Sequence, residues 1–266
     1  LSLFYIFIIN YKKHLKKKID YFKYGWLFGF GYFILSLYWI VISLTFDQNF
    51  NFLIPIALIL IPSFVAIFYG LSLYFFSYFK NFNNISLVLI FSALFGFFEF
   101  IRGSVLTGFP WNLFVFSFSQ NLAFIQILSS IGTYSFNLIC LSFFLIPAVF
   151  ILRKSKYDIF FCIIFIFLIF GVVLFGEKRF NSKDDKLIKD KKYLIKVISS
   201  KVDINRFYDT GNEYEIINDL IDLSKPDKSI PTIFIWPEGM LTSTNLKDIY
   251  YYKDLFQLNF SNKHLI

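Results

Sequence analysis

The sequence is poor in the residues that build metal sites and reactive thiol sites. It has two cysteines and two histidines among 266 residues, and no CxxC pair or cluster of the two types. Both cysteines, Cys140 and Cys162, lie inside apolar runs, where a thiol usually acts as a small hydrophobic group. We therefore expect no metal ion and no cofactor, and we expect neither cysteine to be a nucleophile.

Charge is scarce as well. Only 17% of the residues are charged, 57% are hydrophobic, and the mean hydropathy is +0.61, which is outside the range of ordinary soluble domains. The scarcity is uneven, because residues 1–176 consist of long apolar runs whereas residues 177–266 resemble part of a water-soluble fold. The sequence predicts a transmembrane helical domain over 1–176 and an appended soluble domain over 177–266.

The net charge of +8 raises the question of a nucleic-acid partner. The basic residues of the first domain cluster between apolar runs, at Lys12, Lys13, Lys16, Lys17, Lys18, Lys80, Arg153, Lys154 and Lys156. Cytoplasmic loops of membrane proteins carry such an excess. Since the soluble part has no basic stripe with interleaved aromatics, we expect membrane lipids as partners and no nucleic acid.

Apolar runs long enough to cross a hydrocarbon core recur along the first domain. We predict five complete spans and a partial one; the complete spans lie at 25–44, 52–79, 85–100, 131–152 and 159–176, and the partial one at 1–9. Pro62 is expected to kink the second span. The third is short unless it extends through Glu99 and Arg102.

Orientation follows from placing the basic loops in the cytoplasm and reversing sides at each span. The lysine-rich segment 12–18 is then inside, and segment 102–121 and all residues after 176 are outside. This predicts a multi-pass protein of a bacterial inner membrane with a periplasmic soluble domain.

Two polar features interrupt the apolar pattern. Residues 108–112, Gly-Phe-Pro-Trp-Asn, break the helical period and predict a loop or re-entrant segment at the outer face, or an aromatic belt that only anchors it. Glu99 and Arg102 are spaced to share one helical face, where they can neutralise each other. They are either a contact that supports a cavity or an interfacial pair that fixes helix depth.

The soluble part begins as an α/β layer. We predict a strand at 193–199, a helix at 213–223 and a buried strand at 232–236, which Pro237 ends. Glu238 follows at once, at the strand end where α/β sheets expose working side chains. Taken alone, it is a candidate general base or a solvated loop residue. His264 begins a further predicted strand.

Several short motifs occur in a fixed order. They are Gly-Trp-Leu-Phe-Gly-Phe-Gly-Tyr at 25–32 with Tyr-Trp-Ile at 38–40, Glu-Phe-Ile-Arg-Gly at 99–103, Leu-Thr-Gly-Phe-Pro-Trp at 106–111 and Ile-Trp-Pro-Glu at 235–238. In this order the chain resembles the apolipoprotein N-acyltransferase family. The resemblance implies a membrane domain followed by a carbon-nitrogen hydrolase domain, a nitrilase-like αββα sandwich, without a cofactor.

The resemblance also implies a reaction. Such enzymes move an acyl chain from a phospholipid to a cysteine, as a thioester, and then to the amino-terminal amine of an apolipoprotein's diacylglyceryl-cysteine. Glu, Lys and Cys act together, and Glu238 matches the Glu as general base. No residue matches the Lys or the Cys, which we expect downstream of residue 266. Since Leu1 opens inside an apolar run, we also expect missing residues before it, and these 266 residues alone are expected to be inactive.

The resemblance further suggests a lipid-entry cavity near the outer-face loop. Its candidate residues are Phe109, Pro110, Trp111 and Trp236. Two other interpretations remain open. The spans and the intramembrane Glu99 and Arg102 would also suit a transporter or channel, and the soluble part would also suit a membrane-tethered amidase.

Overall fold

The computed structural model describes residues 1–79, 81–105, 108–181, 193–199, 213–237 and 248–266. Lys80 in the basic segment between two predicted spans, and Leu106 and Thr107 in the motif at 106–111, lie outside these ranges. The chain divides into two compact units, Leu1–Lys183 and Asp184–Ile266. We call the first the bundle and the second the α/β unit, and each is described by itself.

The bundle is helical. Its α-helices are α1 (Ser2–Tyr11), α2 (Lys18–Ser36), α3 (Ile54–Phe76), α4 (Asn84–Ser104), α5 (Leu122–Ile125), α6 (Leu128–Ile131), α7 (Thr133–Phe144), α8 (Ile146–Ile151) and α9 (Lys156–Asn181), and short 3-10 helices lie at Tyr38–Thr45, Gln48–Leu53, Ser77–Phe79 and Phe114–Phe118.

The bundle is a multi-span membrane domain, as predicted. Four helical segments of the described chain are long and apolar enough to cross a membrane, namely Gln48–Phe79, Asn84–Ser104, Thr133–Ile151 and Lys156–Asn181. A fifth forms if α2 and Tyr38–Thr45, which meet at a bend of 49°, count as one span. Only 17% of the most apolar part of α9 is buried within the protein, so its remaining surface needs an apolar solvent.

The boundaries of the spans differ from the predicted ones at three places. The first span is not one straight helix, because α2 ends at Ser36 and the chain bends there. The fourth is interrupted at Leu145, between α7 and α8, because Pro147 has no amide hydrogen with which to continue the helical bonds. The third extends through Glu99 and Arg102 and ends at Ser104.

Small residues allow close helix packing between α2 and α3 in the bundle. A Cβ atom added to Gly25 would lie 2.5 Å from the carbonyl oxygen of Tyr69, and one added to Gly29 would lie 3.1 Å from the Cα of Ala66. Because lipid tails are as apolar as the helices, such close backbone packing stabilises helix pairs in membranes. Tyr69 is thereby held in the core, where it also contacts the rings of Phe33 and Phe95.

The α/β unit contains a parallel sheet. Its elements are β1 (Leu194–Val197), α10 (Glu213–Ser224), β2 (Thr232–Ile235), α11 (Lys253–Asn259) and β3 (His264–Leu265), with a 3-10 helix at Asp248–Tyr252 before α11. The strand order is β1-β2-β3, so β2 is central, and Thr232 pairs with Leu194 on one side and with His264 on the other. The predicted strands and helix of this part are present.

A core of Ile217, Ile221, Phe234 and Phe260 joins α10 to the sheet. The turn before β2 is fixed by Asp227, whose carboxylate accepts hydrogen bonds from the amide and the hydroxyl of Ser229 at 2.9 and 2.6 Å. These bonds favour the ionised form and lower the pKa of Asp227.

Candidate functional site

A buried polar network crosses the bundle. The hydroxyl of Tyr69 in α3 donates to Oε1 of Glu99 in α4 at 2.7 Å, and Nδ2 of Asn137 in α7 donates to Oε2 of the same carboxyl group. The Oδ1 of Asn137 in turn accepts from the amide of Val115 at 3.0 Å. All four residues are fully buried. The network therefore ties three helices and the segment Phe114–Phe118 together in an apolar surrounding.

Arg102 lies one helical turn beyond Glu99 and is also buried, with 1% of its surface exposed. Its Nη1 donates to the carbonyl oxygen of Trp111 at 2.8 Å. The guanidinium carbon lies 5.1 Å from the ring centre of Phe33 and 6.0 Å from that of Phe109, within cation–π range. Its Nε and Nη2 have no hydrogen-bond partner among the residues that the structure describes.

Glu99 and Arg102, which were predicted to neutralise each other, do interact electrostatically, but no hydrogen bond joins their side chains among the described residues. The carboxyl group of Glu99 is occupied by Tyr69 and Asn137, and the one bonded nitrogen of Arg102 faces Trp111. Both side chains are buried within the bundle. Because Arg102 also lines a cavity, the geometry suits the interpretation of a polar contact that supports a cavity.

The loop Gly108–Asn112 is pinned to two helices. The amide of Phe109 donates to the carbonyl oxygen of Arg102 at 2.9 Å, which caps the end of α4. On the other side, the hydroxyl of Tyr32 donates to the carbonyl oxygen of Asn112 at 3.0 Å, and Nδ2 of Asn112 donates to that of Ser36 at 3.1 Å. The loop thus joins the end of α2 to the end of α4.

Glycine is required at the start of this loop. Gly108 has a φ of 79°, and a Cβ atom there would lie 2.4 Å from the carbonyl oxygen of Gly103. A side chain would therefore be strained both by the backbone conformation and by the contact. Asn112 also has a positive φ of 58°, which its short polar side chain tolerates.

A cavity of about 250 Å³ lies between α3 and this loop. Its walls are apolar apart from Arg102, and they include Leu60, Phe64, Val65, Phe68, Val105 and Phe109. Of the four predicted cavity residues, Phe109 lines it. Pro110 and Trp111 are exposed and lie outside its walls, and the ring of Trp111 is 5.5 Å from that of Trp39. Trp236, the fourth, belongs to the α/β unit.

In the α/β unit, β2 leads directly to the predicted base. Nε1 of Trp236 donates to Oγ of Ser224 at 3.0 Å, and the indole lies 5.9 Å from the ring of Phe256. Trp236 and Pro237 are half-buried, so the chain leaves the sheet held against α10 and α11. Glu238 follows Pro237 and lies outside the described residues.

The two cysteines are buried, Cys140 in α7 and Cys162 in α9. The thiol of Cys162 lies 3.9 Å from the carbonyl oxygen of Ile146. Both positions keep the thiol away from water.

Sequence reasoning missed Tyr69, Asn137 and Tyr32 as parts of this region. Asn137 carried a usable signal, because an amide inside an apolar run is costly unless it is paired. Tyr32 carried a weak signal as the last residue of the motif at 25–32, whereas Tyr69 carried none, since it is one of 17 tyrosines in the sequence. Their partners are set by helix packing, which no spacing along the chain reveals.

Comparison with known proteins gives consistent matches. A family model described as the apolipoprotein N-acyltransferase N-terminal domain matches residues 1–146, more than half of the chain. An apolipoprotein N-acyltransferase of Brucella melitensis is 25% identical over 221 residues, 81% of this chain and 41% of the relative. Since 221 residues exceed the family-matched part, this similarity is not confined to it.

Shorter matches are more similar. The apolipoprotein N-acyltransferase of Rhizobium etli is 33% identical over 132 residues, 49% of this chain and 24% of the relative. That of Rickettsia prowazekii is 41% identical over 118 residues, 44% of this chain and 23% of the relative. The chain therefore spans less than half of the length of each of these relatives.

Proposed function

The chain belongs to the apolipoprotein N-acyltransferase family, and we propose that the protein carrying it moves an acyl chain from a phospholipid to an apolipoprotein. The acceptor is the amino-terminal amine of a diacylglyceryl-cysteine, and the acyl group passes through a cysteine thioester. The bundle spans the inner membrane, and residues 177–266 open a nitrilase-like periplasmic domain.

One structural observation supports this proposal in addition to the family membership. Within the same chain as the family-matched bundle, the central strand of a parallel sheet leads straight into Trp236, Pro237 and Glu238. The carboxyl ends of parallel strands are where α/β folds hold reacting groups. The contact between Trp236 and Ser224 fixes the direction of the chain two residues before Glu238.

Glu238 acts as general base in both half-reactions. It takes the thiol proton as the cysteine sulfur attacks the ester carbonyl, and it returns that proton to the leaving lysophospholipid oxygen. In the second half, the amine attacks the thioester, the carbon–sulfur bond breaks, and the amine proton passes to Glu238 and then to the thiolate. The cysteine and a lysine that complete this site have no match among the 266 residues.

The bundle keeps both lipids in hydrocarbon while their reacting groups meet the catalyst at the water boundary. The loop Gly108–Asn112 suits that task, because bonds to α2 and α4 hold it in place. Its exposed Trp111 is the type of side chain that anchors at a membrane interface.

The test is acyl transfer by the product of the reading frame that contains this chain. The purified protein receives a labelled phospholipid and a diacylglyceryl-cysteine peptide, and the acylated peptide is measured. Glu238→Gln should lower the rate by about 10²–10⁴-fold. The matched control is Asp254→Asn, an exposed carboxylate of the same unit, which should leave the rate unchanged.

The acceptor is tested by omitting the peptide. A transferase should release little fatty acid in water alone, whereas an amidase-like hydrolase would release it at the same rate with or without the peptide. Equal rates, or full activity of Glu238→Gln, would overturn the proposed function.

A further inference from the structure

The unpaired edge of Arg102 has the shape of a two-oxygen binding site. Nε and Nη2 lie on one edge of the planar guanidinium group, and one N–H bond of each points in the same direction. This edge matches a carboxylate or a phosphate, which accepts two hydrogen bonds side by side. In Arg102 the remaining nitrogen, Nη1, is bonded to the carbonyl oxygen of Trp111 at 2.8 Å, so the edge is held in a fixed direction.

A buried cation with two unsatisfied N–H groups is costly in an apolar surrounding. The nearby charge of Glu99 offsets part of this cost, but its carboxyl group bonds to Tyr69 and Asn137 and not to these two N–H groups. The rings of Phe33 and Phe109 offer cation–π contacts but accept no conventional hydrogen bond. Among the described residues these two buried N–H groups therefore lack an acceptor, and a two-oxygen anionic group would supply one for each.

The cavity beside Arg102 indicates what carries that group. Two of its wall residues are exposed on the bundle, Leu60 with 64% and Val105 with 48% of their surfaces accessible. In a membrane such surfaces face lipid, so the cavity is reached from the hydrocarbon. Its 250 Å³ is less than the about 300 Å³ of small-ligand pockets, so it has room only for an anionic group and the start of the acyl chain next to it, and the rest of the chain would continue along α3.

We propose that Arg102 binds a two-oxygen anionic group at the head of an acyl lipid, with the start of an acyl chain in the cavity between α3 and Phe109. The inference deepens the proposed function and rests on it for its first choice of ligand, the phosphate of a phospholipid. Loop Gly108–Asn112 contributes by orienting Arg102 through the carbonyl group of Trp111.

Three variants test separately the charge of Arg102, its parallel pair of N–H groups and the volume of the cavity. Arg102→Gln removes the charge, and Arg102→Lys keeps it without the parallel N–H pair. Val105→Trp keeps Arg102 and narrows the cavity. The matched control is Arg153→Gln, because Arg153 also donates to a backbone carbonyl, that of Phe150 at 2.7 Å, and lies over its ring, but is exposed and outside the cavity.

Binding is measured by native mass spectrometry of the whole protein in a neutral detergent. The probes are phosphatidylglycerol, oleic acid and the uncharged dioleoylglycerol. Arg102→Gln and Arg102→Lys should each weaken binding of phosphatidylglycerol at least about tenfold, the effect of losing one charge-assisted hydrogen bond. Val105→Trp should weaken it as well, and Arg153→Gln should not. A thermal unfolding midpoint for each variant shows that it is folded; if Arg102→Gln fails to fold, Arg102→Lys and Val105→Trp carry the test.

Comparison of the three lipid probes also identifies the anionic group. Arg102-dependent binding of phosphatidylglycerol supports a phosphate, and Arg102-dependent binding of oleic acid alone supports a carboxylate. The inference is overturned if dioleoylglycerol binds as tightly as the anionic lipids, or if the folded Arg102 variants bind normally.

The proposed function fails separately. Because binding needs no turnover, Glu238→Gln should bind phosphatidylglycerol normally while it transfers no acyl chain. A protein that transfers acyl chains but binds phosphatidylglycerol independently of Arg102 retains the function and refutes the inference. A protein that binds phosphatidylglycerol through Arg102 but transfers no acyl chain supports the inference and refutes the proposed function.

Discussion

Helix α9 of the bundle exposes most of its apolar side chains, whereas helix α10 of the α/β unit buries the apolar side chains of one face. Ile166 in α9 is 55% exposed, whereas Ile217 in α10 is fully buried against the sheet. The acidic residues of α10 lie on its other faces. The difference shows that the two units are built for different solvents, because α9 meets lipid with its apolar surface and α10 meets water with its polar one.

The difference extends to what stabilises each unit. The α/β unit gains free energy by removing apolar surface from water. The bundle has apolar side chains on both its inner and outer surfaces, so burial alone gives it little. Close contacts at Gly25 and Gly29 and the hydrogen bonds around Glu99 therefore matter more there.

The largest contrast is expected from the same substitution made in both helices. Ile217→Ala should lower the free energy of unfolding of the α/β unit by about 2–5 kcal/mol, because it leaves a cavity in a buried core. Ile166→Ala should change that of the bundle by less than about 1 kcal/mol, since lipid fills the space. Hydrogen exchange of the amides of β2 and of α9, measured in the whole protein, checks both; equal losses would contradict the contrast.

Substitution by lysine should have the larger effect in α9 and the smaller effect in α10. Ile166→Lys should raise the free energy of inserting α9 by about 2.5–3.5 kcal/mol, since it is near the middle of the span. Leu223→Lys, at an exposed position of α10, should have an effect within about 0.5 kcal/mol. A glycosylation-based insertion assay reports the first and hydrogen exchange the second. If α9 inserts as well with the lysine, it does not face lipid.

Two glycines of α2 test whether close packing stabilises the bundle. Gly25→Ala should lower the free energy of unfolding by about 1–3 kcal/mol, because the new methyl group would contact the backbone of α3. Gly31→Ala is the matched control, since nothing lies within 4 Å of its added Cβ. It should stabilise the helix by about 0.5–1 kcal/mol. The sign of the change in thermal midpoint in detergent distinguishes the two, and a shared sign would refute the packing argument.

The contrast between the units was visible in the sequence, and the internal contacts of the bundle were not. Apolar run length indicated the spans, and the amphipathic spacing of Ile217 and Ile221 indicated α10, because each unit's surface faces one solvent along its whole length. At the bend after Ser36, the carbonyl oxygen of Ser36 accepts a hydrogen bond from Asn112, which lies far away in sequence. The same holds for Glu99, whose partners in α3 and α7 could not be read from its neighbour Arg102.

A small effect is expected at each hydrogen bond of the polar network. Glu99→Leu leaves the hydroxyl of Tyr69 and the amide of Asn137 buried without their acceptor. We expect the free energy of unfolding to fall by about 1 kcal/mol for each of these two groups. Leaving a buried polar group unpaired costs about 1–3 kcal/mol in soluble proteins, and an interhelical hydrogen bond in a membrane contributes about 0.6 kcal/mol. Glu99→Gln is the matched control, because its oxygen can still accept from Asn137 while its amide donates to Tyr69. The thermal midpoint in detergent should therefore fall more for Leu than for Gln. If both variants fall equally, the charge of Glu99 stabilises the bundle, and its hydrogen bonds do not.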